Sequence, residues 1–361
     1  MSGFQIATQP AADADYAEYD QVSRGNTPNR FDRRYMLNST NNSIPVIVQG
    51  LGPMGKEILK AAHADPHLLV VGVVDIDTSL TGTKLGDHGL EPEDIVISSS
   101  LKAPTSAEVV LHATGSYLKS VAPQIEDALA MGLNVVSTCE ELSFPFVRHP
   151  ALSDAINRSA LERGLVVVGT GVNPGFMMDR LPLAMTSMSH SIDSIHIKRV
   201  QDPTGRRRPF QAKVGMGLSK QEFEDLAATG NFGHVGLEES ARLIAIGLNW
   251  VFSDWNHELT PVIGRTDSTV QGLVETLEAK TDDGHLLSLH FEAHSAVAEP
   301  YDSVTISGCP PVDLVIDGGI AGDAATAAAI IQAAKVIDSS HCGLITVLDL
   351  PLRKFDNRSL P

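Results

Sequence analysis

The run STCEELSFP, Ser137 to Pro145, places a thiol, Cys139, beside two carboxylates, Glu140 and Glu141. The residues before it, Asn134 to Val136, read as the end of a buried strand. In open α/β sheets ligands sit outside the carboxyl ends of the strands, so this turn should face a reacting centre. Three chemistries compete for it. A Cys139 nucleophile needs a base or a positive charge beside the thiolate, and two carboxylates act in the opposite sense. Carbonyl-to-alcohol reduction builds negative charge on oxygen and calls for a proton donor or a cation, which an ionised glutamate is not. Chemistry through an iminium suits a carboxylate in sign and position: the anion faces a cationic carbon–nitrogen centre and takes protons from ammonia or an amine. A purely structural use, capping the next helix or forming a salt bridge, is the plainer alternative.

A second chemical feature lies upstream. Gly50, Gly52 and Gly55 in GLGPMG, with Leu51, Pro53 and Met54 between them, match G-x-G-x-x-G. Alone the pattern is weak. Here it follows the β-branched run PVIVQ, opens a helical stretch and precedes Asp75 by twenty residues, which is the setting of a dinucleotide-binding turn. The glycines let a pyrophosphate approach the backbone, and the helix N-terminus offers unpaired N–H groups. Asp75 is placed to accept hydrogen bonds from the adenosine ribose, and its charge disfavours a 2′-phosphate, so NAD is favoured over NADP. Asp77 is near enough to blur that preference. Ala113, Thr114, Gly115 and Ser116 close a later strand and, with Thr138 and Cys139, should line the same cofactor; a simple tight turn is the alternative.

The elements that must hold these groups are legible in the patterning. Continuous apolar runs, PVIVQ, LLVVGVVD, AEVVLH, LNVVST and LVVVG, suit strands buried on both faces of a parallel sheet. Helical stretches alternate with them, so a doubly wound α/β domain is expected over residues 43–173. Beyond Pro174 the pattern turns to period two in SIDSIHIKRVQD, TVQGLVETLEAKT and HLLSLHFEAHS, as in antiparallel strands with one wet face. Residues 174–310 are therefore expected to form an α+β domain on an open sheet. In 311–361 an Ala-rich helix behind a glycine turn should return to the first domain. Residues 1–42 are polar, acidic and aperiodic, and read as an arm without the features of a signal peptide.

Composition narrows the partners. The chain has 361 residues with 43% hydrophobic and 20% charged, enough for two ordinary cores. A formal net charge of −17 argues against nucleic acid and anionic membranes, which reward Lys and Arg. Three cysteines without paired spacing suggest reduced thiols in a cytoplasmic setting. No H-x-x-x-H or C-x-x-C pair points to a catalytic metal.

Together GLGPMG, STCEELSFP, GTGVNPGFMMD, RRRPFQAKVGMGLSKQEF, GHVGLEES and GLITVLDLP resemble the 2,4-diaminopentanoate dehydrogenase family and its relatives, the native amine dehydrogenases. The likeness runs from about Ile44 to Pro351 and leaves out the arm. It implies an NAD(P)-dependent oxidoreductase that interconverts a primary amine with a ketone or aldehyde plus ammonia. The implied fold is an N-terminal Rossmann sheet plus a C-terminal α+β open-sheet domain like that of dihydrodipicolinate reductase, usually in a homodimer. The family's catalytic glutamate falls in this CEEL segment, on Glu140 or Glu141. The lysine of homoserine dehydrogenase and the paired histidines of dihydrodipicolinate reductase are missing, which weakens those relatives as guides to function.

The substrate pocket is expected where the first domain hands over to the second. Asn173 and Pro174 should face the nicotinamide amide, while Phe144, Phe176 and Met178 wall the substrate; a core role is the alternative for the last two. His234, flanked by glycines, should also line the pocket. The basic cluster Arg206 to Arg208 reads as a solvated or interface loop, so nothing in the sequence demands a substrate carboxylate. The rival functions are an imine or carbonyl reductase and a non-catalytic dinucleotide sensor.

Overall fold

The computed structural model describes residues 4–5, 43–102, 106–230, 232–264 and 268–353. Within the N-terminal arm only β1 (Phe4–Gln5) falls among them, paired antiparallel with a strand of the second sheet; the rest of the arm lies outside the described residues.

The first sheet is parallel throughout. It comprises β2 (Ile44–Gln49), β3 (Leu68–Val74), β4 (Ile97–Ser98), β5 (Val109–His112), β6 (Asn134–Ser137), β7 (Val166–Gly169) and β14 (Gly343–Ile345). Their order is β14-β7-β6-β5-β2-β3-β4. From β2 the chain moves to β3 on one side and then to β5 on the other, so a crevice opens at the carboxyl ends of β2 and β5. Val46, Val48, Val110, Val135 and Val167 are fully buried, as strands covered on both faces require.

Helices cover the two faces. α1 (Pro53–Ala64) begins with proline at its first position and buries Ile58, Leu59 and Ala62. α2 (Leu118–Ala130) buries Val121, Ile125 and Leu129. α3 (Pro150–Arg163) stops at Gly164, whose φ of 67° lies in the left-handed region. The Ala-rich segment forms α8 (Gly322–Ala334), whose Ile330 and Ile331 enter the same core as Ile58 and Leu59 of α1. Lys335 Nζ, 2.6 Å from Asp65 Oδ2, fastens the end of α8 to the end of α1.

The second sheet has the order β1-β9-β10-β11-β8-β12-β13, from β8 (Ser191–Gln201), β9 (Phe252–Ile263), β10 (Val270–Thr281), β11 (Leu286–His294), β12 (Tyr301–Cys309) and β13 (Val312–Asp317). Its sheet therefore continues past residue 310. The strands alternate as expected, but β8 and β11 pair in parallel. Period-two patterning fixes which face is buried and is blind to strand direction. α4 (Arg180–Thr186), α5 (Arg208–Lys213), α6 (Lys220–Ala227) and α7 (Leu237–Leu248) cover one face. α6 is opened by a capping box of Ser219 and Glu222. α7 is buried over most of its circumference, Glu239 and Arg242 included, because it is wedged between the two sheets. No helix among the described residues is long and apolar enough to cross a membrane.

Candidate active site

A cleft of about 470 Å³ opens where the carboxyl ends of the parallel strands meet the second sheet. It is lined by Gly52 to Met54 after β2, Ala113 to Tyr117 after β5, Thr138 and Glu140 after β6, and Thr170 to Pro174 after β7. The second domain contributes Arg199, Gln201, Arg206, Arg207, Phe210, Lys213, His234 and Phe291, and α8 contributes Gly322, Asp323 and Thr326.

The three glycines of the first turn have distinct environments. Gly50 holds φ of +95°, and a Cβ there would meet the Ala113 carbonyl oxygen at 2.6 Å. A Cβ on Gly55 would lie 1.7 Å from the Gly50 carbonyl oxygen, so helix and strand pack there without a side chain. A Cβ on Gly52 would have nothing within 4 Å, because this glycine borders the open cleft at the head of α1. A tight turn, an open approach and close helix–strand packing are what a pyrophosphate cradle needs. Asp75, directly after β3, accepts the Leu51 N–H on one oxygen and the Asp77 N–H, at 2.8 Å, on the other. Gly50, Leu51 and Gly55 thus shape the turn from behind, Asp75 is half-buried beside it, and none of the four lines the cleft itself.

Behind Thr114 sits His112, buried, with Nδ1 2.8 Å from Ser137 Oγ and Nε2 2.8 Å from Thr114 Oγ1. Burial pushes its imidazole down to about 4, so it is a neutral brace for the turn after β5.

The turn after β6 separates its two carboxylates. It is a single 3-10 turn, Glu140–Ser143, in which successive side chains point about 120° apart. Glu140 points into the cleft and its Oε1 lies 2.7 Å from Lys213 Nζ. Glu141 turns inward. Its Oε2 accepts the Leu118 N–H at the head of α2 at 2.7 Å and lies 2.8 Å from His149 Nε2, and its Oε1 is 3.7 Å from Arg148. Of the two candidate glutamates, only Glu140 reaches the cleft. Cys139 is fully buried and its thiol donates to the Ser116 carbonyl at 3.2 Å. Burial, reinforced by Glu140 and Glu141, pushes that thiol far up, which removes it as a nucleophile.

At the domain junction Asp179, fully buried, accepts the Gly175 N–H at 2.8 Å and the Ser240 hydroxyl at 2.7 Å. These bonds hold the turn that presents Asn173, whose Nδ2 is 3.2 Å from His234 Nε2. The His234 N–H donates to Glu275 Oε2 at 2.7 Å, and its ring lies 4.3 Å from that of Phe291. Burial, with Lys213 and Arg199 adding to it, holds this imidazole well below its ordinary value and so keeps it neutral. Three residues expected in the pocket are elsewhere. Phe144 packs on Phe146 in the core of the first domain, Met178 is buried in the core of the second, and Phe176 is half-buried outside the cleft. The apolar walls are Val172, Phe210 and Phe291 instead.

The cations of the cleft were the least visible in the sequence. Arg206 and Arg207, read as a surface loop, line the cleft and meet Asp323 Oδ1 at 3.1 and 3.2 Å. Arg199 is 2% exposed on β8; Nε is 3.5 Å from Asp302 and NH2 donates to the Ile320 carbonyl at 2.8 Å. Its NH1, equally buried, has no hydrogen-bond partner. A signal for it existed: Ile195, Ile197 and Arg199 share one parity on a strand, so the charge falls on the apolar face.

Known proteins with this architecture fix its family. The model of the 2,4-diaminopentanoate dehydrogenase C-terminal domain matches residues 176–357. A 2,4-diaminopentanoate dehydrogenase of Acetoanaerobium sticklandii is 28% identical over 334 residues, which cover 86% of this chain and 94% of that protein. An amine dehydrogenase of Streptomyces virginiae is 24% identical over 355 residues, covering 86% of this chain and 97% of its own. The solved structure of an amine dehydrogenase from Mycobacterium smegmatis superposes with a TM-score of 0.76 at 18% identity, covering 87% of this chain and 97% of that one, and shares the fold. The chain belongs to the 2,4-diaminopentanoate dehydrogenase family and is an oxidoreductase acting on amines.

Proposed function

We propose that the enzyme is an NAD(P)-dependent amine dehydrogenase that interconverts a carbonyl compound plus ammonia with a primary amine, with NAD as the favoured dinucleotide. The observation that carries this reading is Glu140: it is the carboxylate of the turn after β6 that lines the same cleft as Gly52 and Ala113 to Ser116. When bound, the nicotinamide exchanges a hydride with the reacting carbon. Gly52 and the head of α1 would hold the pyrophosphate, and Asp75 the ribose. Thr138, Asn173 and Pro174 would border the nicotinamide. Glu140 accepts the proton that ammonium must lose before nitrogen attacks, and it faces the cationic iminium once water departs. Val172, Phe210 and Phe291 keep bulk water from that cation.

Arg199 bears on the substrate class. A buried guanidinium nitrogen without a partner is costly unless something meets it, and a carboxylate is its best complement. This favours a substrate bearing an acidic group, contrary to the sequence-based expectation, and the relative from Acetoanaerobium sticklandii is itself named for a pentanoate. The cytoplasmic setting and the homodimer carry over into this reading, and light scattering on the purified protein tests the dimer.

The experiment is NADH or NADPH consumption with 4-oxopentanoate, pentan-2-one and pentanal, each with and without ammonium. Ammonium-dependent turnover is expected, faster with NADH, and faster with 4-oxopentanoate than with pentan-2-one. Glu140→Gln should lower kcat by about 10²–10⁴-fold with NADH affinity unchanged. Equal turnover without ammonium would favour a carbonyl reductase instead.

A further inference from the structure

Glu140 does not act on the cleft alone. Lys213 Nζ lies 2.7 Å from Glu140 Oε1, and the two side chains are 24% and 22% exposed. Lys213 sits at the end of α5 in the second domain and Glu140 on the first, so the contact bridges the cleft. Glu140 still faces the cleft, and with Lys213 it forms a proton acceptor and a proton donor in direct contact.

We propose that Lys213 is the acid that protonates the departing oxygen, working in tandem with Glu140 as the base on nitrogen; this rests on the amine dehydrogenase reading above. The proton count calls for such a tandem. Turning a carbonyl and ammonium into an iminium and water moves two protons from nitrogen to oxygen. In the first transfer Glu140 takes a proton from ammonium. The nitrogen pair then forms the C–N bond, the C=O π pair moves to oxygen, and the Lys213 ammonium protonates that oxygen. Glu140 passes its proton across the 2.7 Å contact to the neutral Lys213 amine, and both groups are reset. In the second transfer Glu140 takes a proton from the added nitrogen. The nitrogen pair forms C=N as the C–O bond breaks, and Lys213 protonates the leaving hydroxyl, which departs as water. The same internal transfer resets the pair. The iminium then receives hydride from the reduced dinucleotide and becomes the amine. Deamination runs the sequence backwards, with the Lys213 amine taking a proton from the attacking water.

Tyr117 is the competing donor. It also lines the cleft, and burial raises its phenol above the ordinary value, which makes it a reluctant acid. The test compares Lys213→Met, Lys213→Arg and Tyr117→Phe in the ammonium-dependent assay, using the fastest carbonyl of the panel above. Arginine keeps the charge and the ion pair but holds its proton. Both lysine variants should lose about 10²–10⁴-fold in kcat, with NADH affinity and melting temperature held for Lys213→Arg. A second readout removes the hydride step: with NAD+ and ammonium present, carbonyl compound labelled with 18O should lose its label through the wild-type enzyme and keep it with Lys213→Arg. If Lys213→Arg stays within about threefold of wild type, or exchanges label normally, Lys213 is a charge partner only and the proposal is overturned. A loss confined to Tyr117→Phe overturns it in favour of the phenol. A wild-type enzyme with no ammonium-dependent turnover on any panel member removes the underlying reading instead, and this proposal with it.

Discussion

At the scale of single residues, the neighbours Glu140 and Glu141 share a charge and a chain position yet differ in every contact. Their pairing in CEEL was legible, and so was the sign of the chemistry that one of them suits. Which one was not, because the answer depends on the 3-10 turn that rotates the second carboxylate away from the first. Glu141 finds the Leu118 N–H, His149 and Arg148 within the protein, and its work is to close the head of α2. Glu141→Ala leaves that N–H buried without an acceptor and Arg148 short of one counter-charge. The expected result is a stability loss of about 1–3 kcal/mol in chemical or thermal unfolding. Turnover per folded molecule should stay within an order of magnitude of wild type, the reverse of the Glu140→Gln pattern. If Glu141→Ala removes turnover with stability intact, the assignment of roles between the two is wrong. Arg199 shows the other limit of single-residue reading: its inward parity on β8 was visible, but only the fold brings that strand to the cleft.

Among elements, the glycine turn carried the most information in the chain, since its meaning lies in local spacing: a strand before, a helix after, an acid at the end of the next strand. β14 carried the least. Its three residues, Gly343–Ile345, have no run long enough to announce a strand, and they become one by pairing with the exposed edge of β7. Two of the turn's roles can be separated experimentally. Gly52→Ala adds a methyl group to open space, so the protein should fold and melt as wild type while NADH binding, followed by fluorescence titration, weakens by at least about tenfold. Gly55→Ala drives a methyl group into the Gly50 carbonyl and should lower stability, with weak binding only as a consequence. Unchanged NADH affinity in a folded Gly52→Ala protein would remove the pyrophosphate from this turn.

Across the whole molecule, the two domains meet over a cluster of charges beside an apolar contact, since Leu243 of α7 enters the core of the first domain. Arg148, beyond the turn after β6, reaches Glu238 at 2.7 Å and Glu239 at 3.3 Å on α7, and Arg242 closes on Glu238 at 2.6 Å. The sequence of α7 could not show that its polar side is buried too, because the second wall comes from the other domain. The cluster is not fully compensated. Glu239 has one oxygen without a partner, and burial pushes its carboxyl up to about 7, with Glu238 and Glu141 adding to the rise and Arg148 opposing it. The folded protein therefore holds the proton on Glu239 more tightly than the unfolded chain, whose glutamate titrates near 4.5. The stability this contributes is complete below pH 4.5 and is lost as pH rises through 7. Glu239→Gln cannot ionise, so it should match wild type near pH 4.5 and gain on it steadily up to about pH 8. Urea unfolding of both proteins across that range gives the difference directly, and other titrating groups cancel in it. Parallel stability curves would mean that Glu239 stays charged beside Arg148 at neutral pH, and that the domains are joined by a closed ion network with no proton in it.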